Sequence, residues 1–176
     1  MNRPDDCPRC PNPLKRKLYF ECGHNPQEAV FEIDDGVVEP NQQFVLDRIN
    51  IDTSNLTRPI VKFDFTSIVT FEAEDEEGLE HEVEVDLLFR LIRSCNGSSE
   101  VVQTWRYLFE IDIEPNIAEL ETEISESFAF SFCDHPCPHC CEYSVVVEGR
   151  DFEGEFEFLR VTRPVLTALI QGYSEN

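Results

Sequence analysis

The chain has 176 residues, enough for one domain with a sizeable core, and a net charge of −22 from 14 basic and 36 acidic side chains. That charge excludes nucleic acid and anionic membranes as partners, since both require basic patches. The carboxylate excess reads as solubility and mutual repulsion, and no EF-hand loop pattern turns it into a cation site.

The charge is unevenly spread. Residues 1–17 carry Arg3, Arg9, Lys15, Arg16 and Lys17 against Asp5 and Asp6, so they are net +3 and the rest is net −25. Residues 1–14 hold four of the 11 prolines and show no apolar periodicity. Residues 1–17 therefore read as a flexible, Pro-rich, basic, cysteine-bearing arm, with a single domain over 18–176. No apolar stretch follows Met1-Asn2-Arg3-Pro4-Asp5-Asp6, so no signal peptide is expected. No run of about 20 apolar residues is present to span a membrane as a helix.

The elements follow in order. Lys17 to Cys22 predicts a first strand closed by Gly23, with His24 in the turn. Ala29 to Ile33 predicts a second, ended by Asp34-Asp35-Gly36, and Gln43 to Asp52 a third. From Val61 to Ala73 the odd positions are mostly apolar and the even ones mostly polar, which is the period of a half-buried strand. The alternation resumes from Leu79 to Leu91 after Asp75-Glu76-Glu77-Gly78, so an antiparallel hairpin is expected here. Glu80, Glu82, Glu84 and Asp86 mark its solvent face, because unpaired carboxylates are too costly to bury. Leu88 and Ile92 make the second half apolar on both faces, so a covering element is expected there.

Asn96-Gly97 is a tight-turn signal, since both residues tolerate positive φ. Val101, Gln103, Trp105, Tyr107, Phe109, Ile111 and Ile113 form the expected inward face of the next strand, and Glu114-Pro115-Asn116 ends it. An acidic connection over 116–123 leads to Phe128, Phe130 and Phe132. A strand over 143–147 follows, and 155–171 supplies one or two more, broken at Pro164. The sum is all-β: a two-sheet, jelly-roll-like sandwich of eight or nine antiparallel strands, with the 14 phenylalanines in its core.

The chemistry concentrates in Cys133-Asp134-His135-Pro136-Cys137-Pro138-His139-Cys140-Cys141, a loop between two strands that holds four of the eight cysteines. A second pair, Cys7 and Cys10, lies on the arm. Cys7-x2-Cys10 with Cys137-x2-Cys140 has the ligand pairing of a four-cysteine zinc site, with His135 or His139 as substitutes. The separation of the two halves and the adjacent Cys141 count against it. Neither pair opens a helical pattern, as a redox Cys-x2-Cys does. His81 reads as a satisfied edge or core histidine. No nucleophile-elbow or phosphate-cradling motif is present, so neither an enzyme nor a bound cofactor is expected. Disulfides fit better. Cys22, Cys95 and Cys133 each end an expected strand, where neighbouring Cα atoms come within reach of a bridge. Cys140 and Cys141 together would present two thiols at one surface point. An arm bearing Cys7 and Cys10 can reach another molecule.

The runs Phe20-Glu21-Cys22-Gly23, Ile51-Asp52-Thr53-Ser54 and Phe65-Thr66-Ser67-Ile68 carry a family resemblance. It continues through Leu88-Phe89-Arg90, Arg93-Ser94-Cys95, Trp105 and Cys137-x2-Cys140-Cys141-x-Tyr143. Over roughly 18–150 the chain is similar to an uncharacterised cysteine-rich family of spore-forming bacteria. By architecture alone it also resembles the subunits of endospore appendages, jelly-roll proteins whose N-terminal connector cysteines cross-link stacked subunits. That resemblance implies a self-assembling structural subunit at the spore surface, oxidised after release from the mother cell. Its partners would be other copies of itself and other spore-surface proteins. A zinc-binding β module, and a ligand-binding jelly roll or coat protein, are the alternatives.

Overall fold

The computed structural model describes residues 15–75, 81–113, 120–136 and 139–174, with the backbone alone at 74, 75, 81, 82, 112, 113 and 120–122. The strands are β1 (Lys15–Cys22), β2 (Ala29–Val30), β3 (Ile33–Asp34), β4 (Val37–Val38), β5 (Gln43–Asp52) and β6 (Thr57–Asp75). They continue as β7 (His81–Cys95), β8 (Ser98–Ile113), β9 (Leu120–Asp134), β10 (Cys140–Glu153) and β11 (Glu155–Ser174). No helix occurs among the described residues.

One sheet has the order β1-β11-β6-β9, with β2 also on β11; the other has the order β5-β10-β7-β8. Counting the eight long strands alone, the sheets read first, eighth, third, sixth, and second, seventh, fourth, fifth. First pairs with eighth, second with seventh, third with sixth and fourth with fifth, all antiparallel. That nested pairing is the double Greek key of a jelly roll. The expected sandwich is therefore the observed fold.

Alternation builds the core. Val61, Phe63, Phe65, Val69, Phe71 and Ala73 face it from β6, and Val83, Val85, Leu87, Phe89 and Leu91 from β7. Thirteen of the fourteen phenylalanines are buried or half-buried; Phe20 is the exception, at 62% exposed.

Five expectations are corrected. β6 and β7 are not a hairpin: β6 pairs with β11 and β9, and β7 with β10 and β8. Period two on both sides of a turn is equally satisfied when the chain crosses to the facing sheet, because both sheets show one face to a single core. Of the four carboxylates assigned to solvent, Asp86 is buried, and Arg106 grips it with Nε at 2.8 Å and Nη2 at 3.1 Å. Among the described residues no layer covers Leu88 and Ile92; each is half-buried between cross-strand neighbours, Arg106 and Glu148 for Leu88, Val101 and Ser144 for Ile92.

Among the described side chains the inward row of β8 holds only at Trp105, Tyr107 and Phe109, and the side chain of Ile113 lies outside them. Leu91 pairs with Gln103 but Ile92 with Val101. The extra residue, Val102, turns to the core and Val101 turns out, as a β-bulge requires. Ile111, further along this edge strand, is exposed. Finally, Pro164 does not end β11. Thr162 pairs with Ile68 and Val165 with Thr66, with Arg163 at φ 51°, so a bulge accommodates the missing N–H and the strand runs on.

The cysteine end of the sandwich as candidate functional site

Strand order gathers one set of ends. Lys15 pairs with Ser174, Tyr173 with Thr57, and Val61 with Asp134. On the other sheet Cys140 pairs with Asp52 and Cys95 with both Cys141 and Ser98. The start of β1, where residues 1–14 attach, thus shares an end of the sandwich with the cysteine loop.

Cys95 closes β7 and faces Cys141 directly across the β10–β7 ladder, with Cα atoms 4.6 Å apart, and the two form a disulfide. That spacing belongs to a non-hydrogen-bonded antiparallel pair, which brings side chains closest. The bridge closes a separation of 46 residues. Cys141 is buried. So Cys140 and Cys141 do not present two thiols together: the alternation of β10 turns one out and the other into the core.

Below the bridge an ionic clasp joins the sheets. Asp134, at the end of β9, accepts from Tyr143 Oη at 2.7 Å and from Arg93 Nη1 at 2.6 Å. Its other oxygen accepts from the His135 backbone N–H at 2.8 Å. Arg93 also donates to Glu100 through Nη2 at 2.6 Å. Burial works against the Arg93 charge, but Glu100 and Asp134 outweigh it and hold the guanidinium more firmly protonated than usual. Burial, then the neighbouring Asp134 carboxylate, push the Tyr143 phenol well above its ordinary value. The Tyr143 ring packs on Phe63 of the facing sheet, with centroids 4.5 Å apart.

The loop returns to β10 through Thr53. Its N–H donates to the His139 carbonyl at 3.0 Å, its Oγ1 donates to the same carbonyl at 3.0 Å, and the His139 N–H returns to Oγ1 at 3.2 Å. Thr53 is buried, so Cys140 is delivered from a fixed backbone with its thiol exposed.

Two more described thiols are free and exposed, Cys22 and Cys133. Both lie on the outer face of the β1-β11-β6-β9 sheet. Cys133 shares a row with Lys62, Leu169 and Phe20, and Cys22 shares the next with Thr167, Asp64 and Ser131. They occupy opposite edge strands, three strand spacings or about 14 Å apart, too far for a bridge. Cys22, Cys95 and Cys133 therefore do not pair with one another as neighbouring strand ends. Cys7, Cys10 and Cys137 lie outside the described residues, as does the side chain of His81, so most of the proposed zinc set does too. Among the described residues no three or more histidine, cysteine, aspartate or glutamate side chains group around a metal position. His24 sits in a bend after β1, as expected.

The clasp and Thr53 were not singled out from chemistry. Their only signal was membership in the resemblance: Thr53, Arg93, Cys95, Cys141 and Tyr143 all belong to the quoted runs and converge at this end. Chemically, the end offers one closed disulfide, a rigid frame and outward thiols able to bond to other chains.

No curated protein matches the chain. Among solved structures it is similar to an infectious bursal disease virus particle, with TM-score 0.34, 10% identity and coverage of 92% of this chain and 36% of that one. The VP2 subviral particle of the same virus gives TM-score 0.23, 8% identity and coverage of 92% and 42%. The chain thus spans about two fifths of the viral chains it matches, and at these TM-scores the likeness carries no argument. Residues 19–171 match a family described as a domain of unknown function, DUF4489, further along the chain than the resemblance over 18–150 extended. The chain belongs to the DUF4489 family.

Proposed function

We propose that this protein is a structural subunit that self-assembles, cross-linked by disulfides between copies, into a fibre or appendage of the spore surface. The observation that carries the reading is the split of the cysteines. One pair is consumed inside the fold, while Cys22, Cys133 and Cys140 stay exposed on rigid strands. Residues 1–14, with Cys7 and Cys10, attach at the end where Cys140 and the disulfide lie. An arm of one copy bonding the body of the next is a heterologous contact, which does not close on itself and so builds filaments. Each cross-link joins two thiols and gives up two protons and two electrons. Molecular oxygen, met after release from the reducing cytoplasm of the mother cell, takes them up.

The experiment is electrophoresis and electron microscopy of the purified chain after air oxidation. A ladder of detergent-resistant multimers and visible filaments is expected, both lost on adding reductant. Deleting residues 1–14 should leave a folded body, because β1 begins at Lys15, and should abolish the long resistant assemblies. Replacing Cys7 and Cys10 with Ser should give assemblies that dissolve in detergent. Monomer in both lanes, or filaments of full resistance without residues 1–14, overturns the reading.

A further inference from the structure

The edge of β1 carries a pattern that neither the disulfide chemistry nor the core explains. β1 pairs with β11 on one side and with nothing described on the other. Along it lie three large apolar side chains that the fold leaves in water: Leu18 at 61%, Tyr19 at 44% and Phe20 at 62% exposed. An open, apolar edge strand is a template for pairing with another strand. Tyr19 and Glu21 line a cleft of about 310 Å³ between this edge and β5, with Asn50, Asp52 and Leu56. Leu18 and Phe20 stand on the outer face, where Leu169 extends the apolar surface.

We infer that the free edge of β1 pairs with the same edge of a second copy, antiparallel, about a two-fold axis at Tyr19. The sequence of the strand selects both partner and register. Two edges related by a two-fold axis normal to the sheet run antiparallel and keep their outer faces on one side. Residues opposite each other must then be both even or both odd. Centred on Tyr19, Leu18 meets Phe20 of the second copy, twice, on the outer face. Lys17 meets Glu21, twice, on the inner one. Arg16 falls opposite Cys22 and Lys15 opposite Gly23. Centring on Leu18 instead sets Lys15 against Glu21, but it also sets Lys17 against Tyr19 and Arg16 against Phe20 and leaves Leu18 alone opposite an apolar side chain. Centring on Phe20 sets Lys17 against Gly23 and Tyr19 against Glu21. Only the Tyr19 register pairs opposite charges and also sets each of Leu18, Tyr19 and Phe20 against another of the three, as favourable cross-strand pairs do. The three cations Lys15, Arg16 and Lys17 belong to this strand, so the basic excess of residues 1–17 lies at the edge itself. This contact deepens the assembly reading, and rests on it, by giving that assembly a non-covalent interface.

The test uses the full chain with Cys7, Cys10, Cys22, Cys133, Cys137 and Cys140 changed to Ser, leaving the internal disulfide. Its mass is followed by sedimentation against concentration at 0.15 M salt. A monomer–dimer equilibrium is expected. Lys17→Glu and Glu21→Lys should each weaken the dimer at least tenfold, and the double variant should regain it, which a mere folding defect would not do. In the same background Tyr19→Cys places two thiols across the axis, where opposed Cα atoms are about 4.5–5.5 Å apart, within disulfide reach. It should oxidise to a covalent dimer far faster than Val101→Cys, a control on β8 that is somewhat more exposed. Monomer at all concentrations, the result expected if residues 1–14 of the same chain cover the edge, overturns the inference. So does equal cross-linking at the two positions, or a double variant no better than the singles. Because no cross-linking thiol remains, failure here leaves the oxidative assembly of the native chain untouched, and failure there leaves this dimer untouched.

Discussion

At the scale of single residues, Asp134 has the most to hold together. Its carboxylate is buried where two sheets meet and is satisfied by Arg93, Tyr143 and its own loop backbone. Tyr143→Phe removes one hydrogen bond to that charge and should cost about 2 kcal/mol in urea unfolding. The pH dependence has a definite sign. The folded phenol of Tyr143 sits above its unfolded value of about 10, first through burial and then through Asp134. Tyr107 is raised likewise, by burial and then Glu126. A raised value contributes stability that is fully present below pH 10 and is lost as pH rises through the folded value. Stability should therefore decline above about pH 10, and less steeply in Tyr143→Phe; a pH-independent midpoint contradicts this. Beforehand only the resemblance marked Arg93 and Tyr143, and nothing marked their shared partner. Asp134 stood in the sequence as one acidic residue among 36, and nothing local told it apart from the solvent-facing majority.

Among the elements, two glycines separate turn chemistry from packing. Gly97, with Asn96 at φ 52° and itself at φ 80°, makes the expected tight turn between β7 and β8, and a methyl group there would meet open space. Gly97→Ala should cost only the left-handed strain, about 1 kcal/mol. At Gly23 an added Cβ would lie 1.9 Å from Asp47 Oδ2. Asp47 cannot retreat: it is buried and accepts from the backbone N–H groups of Asn25, Arg48 and Leu166. Gly23→Ala should therefore cost more, about 3 kcal/mol, and equal losses by denaturant titration would contradict the assignment. The disulfide joins β7 to β10 over 46 residues, and replacing both Cys95 and Cys141 with Ala should lower stability by about 2–4 kcal/mol. The strands were legible because alternation is a local signal; β5 runs over the expected Gln43–Asp52. Which strands pair was not. Period two is identical for a hairpin and for a crossing between sheets; the bulge at Val102 has no local mark, and Pro164 marks a break without telling a bulge from a strand end.

For the whole molecule, the topology explains why the cysteines matter as a set. A jelly roll sends strand ends from distant parts of the chain to the same pole, so Cys95, Cys133, Cys140 and Cys141 gather with the attachment point of residues 1–14. The fold class followed from strand spacing and turn residues. Which cysteine bonds which followed from neither, because connectivity depends on cross-strand neighbours that only the sheet order defines. The proposed assembly requires that the exposed thiols bond between chains rather than within one. Disulfide mapping of an assembly grown from equal amounts of unlabelled and nitrogen-15-labelled chain measures this directly. The bridge between Cys95 and Cys141 should appear only in all-light and all-heavy peptides. Bridges involving Cys7 or Cys10 should appear as mixed light–heavy pairs in about half of the molecules, as random pairing between copies requires. Bridges from Cys7 and Cys10 found solely in unmixed form would show an internally closed protein and contradict the claim.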